Sequence, residues 1–93
     1  MIELHDFLQE ITEMDGVSGF EKNVSDYIAK VFAPLLDDTR KDSLGNLILL
    51  KKGNKARAPK VLLCAHMDEI GLMVTRVEDH GFLHFTAIGG FDQ

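Results

Sequence analysis

Apolar residues recur at Leu4, Phe7, Leu8, Ile11 and Met14, and these spacings of three and four predict one stripe of a helix over Glu3 to Met14. Gly16 follows as a stop. Ser18, Gly19, Phe20 and Glu21 then read as a capping box, with Ser18 accepting from the third helical amide and Glu21 reaching back to the cap amide. A second helix is expected to start there. Its stripe is Val24, Tyr27, Ile28, Val31, Phe32 and Leu35, and Pro34 marks its end because the ring removes a donor.

Beyond residue 37 the period changes. Asp37 to Asp42 is short and strand-compatible, and Leu44, Gly45 and Asn46 supply turn chemistry before the apolar run Leu47 to Leu50, so a hairpin is expected. Residues 51 to 60 (KKGNKARAPK) are basic, aperiodic and contain Gly53 and Pro59, which predicts an exposed loop. Val61 to Ala65 is continuously apolar, the pattern of a strand covered on both faces in an α/β sheet and ending at His66. Residues 72 to 78 and 82 to 88 form two further β-rich runs around Asp79, His80 and Gly81, and predict a second hairpin. Gly89 and Gly90 read as turn punctuation, and the chain reaches Gln93 without a closing helix, so it is expected to be an N-terminal segment. The fold class is α/β: two N-terminal helices packed on a mixed β-sheet.

Composition narrows the function classes. Ten Lys plus Arg stand against 15 Asp plus Glu, a net charge of -5, which lacks the cationic excess of a nucleic-acid binder. The longest apolar run is too short to cross a bilayer, so no membrane partner is expected. The single cysteine, Cys64, has no internal partner, and the N-terminus has no signal-peptide pattern, so a cytoplasmic location is expected. Cys64 is expected to be structural and buried.

The strongest chemical candidate is His66, Met67, Asp68, Glu69, Ile70, Gly71 at the end of the apolar run. Strand alternation would place His66 and Asp68 on one face. Such a pair suits a metal site in which one ring nitrogen binds the ion while the carboxylate fixes the proton on the other. It supplies one ligand, whereas a stable site needs three or four, so these residues alone would not hold zinc tightly. His5, His80 and His84 share no spacing with His66 and read as surface or packing residues.

Taken together, Ser18-Gly19-Phe20-Glu21, Asp42-x-x-Gly45-Asn46-Leu47, Ala65 to Gly71 and Ile88-Gly89-Gly90 make the chain similar to the start of the glutamyl and deblocking aminopeptidases, dinuclear metallopeptidases of the tetrahedral type. The resemblance runs along nearly the whole chain. It implies that His66 is the first ligand of a two-metal centre and that Asp68 is the catalytic carboxylate that orients this ligand. It implies hydrolysis of N-terminal residues from peptide substrates, with two zinc or cobalt ions activating a water. The other ligands and the general-base glutamate of the family lie downstream of the matched region, so the segment alone is expected to bind metal poorly and to be inactive.

The resemblance further implies a cytoplasmic homo-oligomer, a dodecamer built from dimers. It also implies that residues 1–71 begin the catalytic domain and residues 72–93 begin an inserted β-rich dimerisation domain. Two other classes compete. One is a non-enzymatic α/β module that binds partners or itself through open strand edges. The other is a carbohydrate hydrolase, for which Asp68 and Glu69 are poorly placed, since neighbours on a strand point to opposite faces.

Overall fold

A computed structural model describes residues 3–92. The first helix, α1, spans Leu4–Thr12, and the second, α2, spans Lys22–Phe32 and runs into one turn of 3-10 helix at Ala33–Leu35. Each apolar stripe is partly spent on the other helix. Phe7 of α1 stacks on Tyr27 of α2 at a centroid distance of 5.9 Å and meets Phe32 edge-on at 5.6 Å. Pro34 sits inside the 3-10 turn and ends the helical run, as its missing donor dictates.

The start of α2 corrects the capping-box expectation. The helix begins at Lys22, not after Ser18, and its N-cap residue Glu21 makes no side-chain cap bond. Ser18 and Gly19 instead form the centre of a β-turn closed by Phe20 N donating to Val17 O at 2.7 Å. Gly19 has φ +88, the left-handed value that the third position of a type II turn requires. Glu21 does reach back, but to Gly19 N at 2.6 Å. The Ser-x-x-Glu spacing is satisfied by a turn that precedes the helix.

Two antiparallel hairpins follow. Strands β1 (Asp38–Lys41) and β2 (Leu47–Leu50) pair from Asp38 with Leu50 to Lys41 with Leu47. Asp42 builds their turn: its carboxylate accepts from Leu44 N and Asn46 N, both at 2.9 Å, and from the Asn46 amide at 2.8 Å. These bonds hold the Asp42 carboxyl below its ordinary value. Lys41 of β1 reaches Asp26 of α2 at 2.5 Å, tying the hairpin to the helix. Strands β3 (Gly71–Val77) and β4 (Leu83–Ile88) pair around a turn containing Gly81 at φ +82, with a bulge between Val74 and Arg76.

The α/β class holds, but in place of one mixed sheet the strands form two separate antiparallel pairs, and a parallel bridge between Val17 and Glu69 ties the segment before β3 to the N-terminal region. The buried strand expected at Val61 to Ala65 is corrected. This run pairs with no strand among the described residues, and Val61, Leu62 and Leu63 are 79, 84 and 90% exposed. Cys64 is exposed as well, against the expectation of burial. A strand sandwiched in a sheet needs neighbours on both edges, and residues 3–92 supply none.

The shape agrees. The radius of gyration is 17.9 Å over extents of 65 × 27 × 24 Å, where a compact chain of this length has about 12 Å. Val24 is the one buried large apolar side chain among the described residues. The apolar faces of β3 and β4, with Leu72, Val74 and Phe85 half exposed, lie open.

Candidate metal-ligand site

The segment Asp68 to Gly71 is held against Val17 and its neighbours, so the Ser18 to Glu21 turn and the His66 to Gly71 segment lie side by side. Glu69 N donates to Gly16 O at 2.9 Å, and Gly16 N donates to Glu69 Oε1 at 3.1 Å. Gly71 completes the approach. A Cβ at Gly71 would stand 2.5 Å from Val17 Cγ2, so only glycine admits the valine there.

On this clamp the structure brings His66 and Asp68 together, as the sequence pattern anticipates. His66 Nδ1 lies 3.0 Å from both Asp68 Oδ1 and Asp68 O. Both of those atoms are acceptors, so Nδ1 is the nitrogen placed to carry the proton, and in that tautomer the lone pair lies on Nε2. The His66 side chain is 85% exposed, leaving that nitrogen open to an incoming ion. The means differ from the expected strand alternation, because residues 66 to 68 lie outside any strand. The pair is formed locally, the His66 imidazole reaching both the backbone carbonyl and the side chain of Asp68.

The other carboxylate oxygen has a partner that spacing does not reveal. Ser18 Oγ donates to Asp68 Oδ2 at 2.5 Å, from 50 residues earlier in the chain. The Ser18 hydroxyl, followed by the His66 contact, holds the Asp68 carboxyl below its ordinary value, so the group is a carboxylate at neutral pH. The capping pattern assigns Ser18 to a helix start. Its appearance in a motif shared with the resembled family was the available signal.

Other candidates stay apart from this site. His84 Nε2 meets Glu78 Oε1 at 2.7 Å across the β3–β4 turn, and His5 lies 3.5 Å from Asp6 on α1. Among the described residues no three His, Cys, Asp or Glu side chains converge as a metal cage. The donor chemistry of His66 therefore fits one ligand of a metal centre and does not make a whole one.

A lone, oriented, solvent-open imidazole beside a carboxylate has the donor chemistry of a single metal ligand. Residues 45–93 match the model of the M42 glutamyl aminopeptidase family. The chain belongs to that family. It is 40% identical over 86 residues to the lysyl aminopeptidase of Pyrococcus furiosus, a match covering 91% of this chain and 24% of that one. Among solved structures, a Thermotoga maritima protein described as an endoglucanase is 44% identical, with a TM-score of 0.82 over 91% of this chain and 27% of that one. The TET aminopeptidase of a marine-sediment Thaumarchaeota archaeon is 31% identical, with a TM-score of 0.83 over 94% and 24% of the two chains. The chain thus spans about a quarter of the length of the relatives it matches.

Proposed function

We propose that this chain is the N-terminal segment of a metal-dependent aminopeptidase, and that it contributes His66 as one metal ligand and Asp68 as the carboxylate that orients it. The observation that carries this reading is the His66 Nδ1 contact with Asp68, which directs Nε2 outward as a donor. Two divalent ions, zinc or cobalt, supply the complete centre with an activated water and a polarised scissile carbonyl. The residues present here do the positioning. Ionised Asp68 holds the ring, fixes its tautomer and raises the basicity of the free nitrogen, while the Gly16–Glu69 clamp holds the backbone beneath it.

Substrates are peptides with a free N-terminus. The remaining ligands and the general base come from chain beyond the matched quarter, so the 93-residue segment is inactive in isolation. Residues 72–93 are the beginning of an inserted β-domain, a reading supported by the self-contained β3–β4 hairpin that starts at Gly71. The open faces of that hairpin support a homo-oligomer, a dodecamer built from dimers. No described helix is long and apolar enough to cross a membrane, which is compatible with action in the cytoplasm.

The description of the Thermotoga relative as an endoglucanase raises glycoside hydrolysis as a second reading. Here Asp68 is engaged by Ser18 and His66, and Glu69 by Gly16, so neither carboxylate is placed as a free acid beside a sugar ring. The deciding experiment uses the protein of the complete reading frame and the 93-residue chain. Both are assayed for metal content, for release of N-terminal residues from unblocked peptides, and for hydrolysis of soluble cellulose. Peptide turnover with two metals in the longer protein alone supports the proposal. Turnover by the 93-residue chain, or cellulose cleavage without peptide cleavage, overturns it.

A further inference from the structure

We propose that Ser18 is a positioning residue for the Asp68–His66 pair, locking the carboxylate from the side opposite the imidazole. The inference rests on the reading of His66 as a metal ligand and deepens it. A carboxylate with one anchored oxygen can still swing about its terminal torsion, which is broad. Anchoring both oxygens removes that freedom. In this chain Oδ1 faces His66 Nδ1 at 3.0 Å and Oδ2 accepts from Ser18 Oγ at 2.5 Å, so the carboxylate plane is set from two sides.

The alternative uses of Ser18 are closed by geometry. It does not cap α2, which begins four residues later with Glu21 as its N-cap. Nor is it arranged as in a Ser-His-Asp triad, where the serine hydroxyl faces the imidazole: here the carboxylate lies between Ser18 and His66. The turn that presents the hydroxyl is itself built in. Gly19 takes a positive φ, Glu21 accepts from Gly19 N, and the Val17–Glu69 bridge places the turn beside Asp68. A chain of oriented groups therefore runs from the turn through Ser18 and Asp68 to the free nitrogen of His66.

The test uses the protein of the complete reading frame, loaded with zinc, as Ser18→Ala, Ser18→Thr, Ser18→Cys and His66→Ala variants. Loss of an outer partner of a metal ligand typically costs about tenfold or more in metal affinity or rate, and Ser18→Ala is expected to show about that loss in zinc affinity and kcat with KM little changed. Ser18→Thr keeps the hydroxyl and is expected to restore both, whereas Ser18→Cys, with its weak donor, is expected to behave like Ala. The nitrogen-15 resonances of the His66 ring in the metal-free protein give an independent readout: the Nδ1–H tautomer should dominate in wild type and Ser18→Thr and lose its dominance in Ser18→Ala.

Should Ser18→Ala fail to fold, the Thr and Cys pair carries the same contrast. Wild-type zinc affinity, kcat and ring tautomer in both Ser18→Ala and Ser18→Cys, alongside loss of metal in His66→Ala, would overturn the role of Ser18 alone. Full metal and full rate in His66→Ala would instead overturn the reading on which it rests.

Discussion

Gly16 and Glu69 hold each other twice, the Glu69 amide donating to the Gly16 carbonyl at 2.9 Å and the Gly16 amide donating to the Glu69 carboxylate at 3.1 Å. One residue ends the region of α1 and the other belongs to the ligand segment, so this exchange joins parts of the chain 53 residues apart. Glu69→Gln keeps a side-chain acceptor and is expected to retain the clamp. Glu69→Ala removes it and is expected to cost about 1 kcal/mol, with faster amide exchange at Gly16. Unchanged Gly16 exchange in Glu69→Ala would show that the carboxylate adds nothing.

Gly71 offers a steric test of the same contact. Its Cβ position lies 2.5 and 2.9 Å from the two methyls of Val17, so Gly71→Ala forces the start of β3 away from the Val17 segment. Overpacking of this kind is expected to cost about 1–3 kcal/mol. Val17→Ala in the same chain clears the space and is expected to return part of that loss. Chemical denaturation of the single and double variants checks it, and simple additivity would locate the damage elsewhere.

Acid sensitivity has an identifiable contributor in Asp26. Lys22 and Lys41 donate to its carboxylate and hold its carboxyl down to about 2, from an ordinary value of 3.8. Because the folded value lies below the unfolded one, the contribution is complete above the unfolded value and is lost as pH falls through the folded one. Asp26→Asn is therefore expected to flatten stability between about pH 4 and pH 2 and leave the slope above pH 5 unchanged. The pair is exposed, so the effect is small and shrinks with added salt. Equal acid slopes in both proteins at low salt would remove Asp26 from the account.

For the candidate site, His66→Ala in the protein of the complete reading frame is expected to lose metal and activity together. Asp68→Asn is expected to lower turnover by about 10- to 100-fold while the fold survives, since it disturbs ring orientation and leaves the backbone clamp in place. Metal analysis and thermal melts beside the kinetics separate the two. Full metal and full rate in His66→Ala would sink the assignment.

Much of this architecture was legible in local pattern. The apolar stripes marked both helices, and Asp42, Gly45 and Gly81 marked the hairpin turns, because a turn's chemistry lies within the few residues that form it. The His66–Asp68 pair was also legible from a two-residue spacing. Two features were not. Ser18 and Glu21 have the spacing of a capping box, yet the serine hydroxyl is used on a carboxylate 50 residues away, a relationship that no local period encodes. Val61 to Ala65 carries the composition of a buried strand, but burial belongs to the neighbours of a strand as much as to its own residues, and residues 3–92 provide none.

The basic loop of residues 51–60 has a consequence for how the chain comes apart. Lys51, Lys52, Lys55 and Arg57 are exposed and form no strand or helix, which makes this stretch the natural place for trypsin to cut. Such a cut falls between Ser18 and Asp68, placing the two halves of one hydrogen bond on different peptides. The nicked protein would stay whole only through contacts across the break, chief among them the Gly16–Glu69 exchange, the Val17–Glu69 bridge and the Ser18–Asp68 bond. Whether the two peptides travel together through a sizing column thus reports on the strength of the site's own scaffold, with no substrate required.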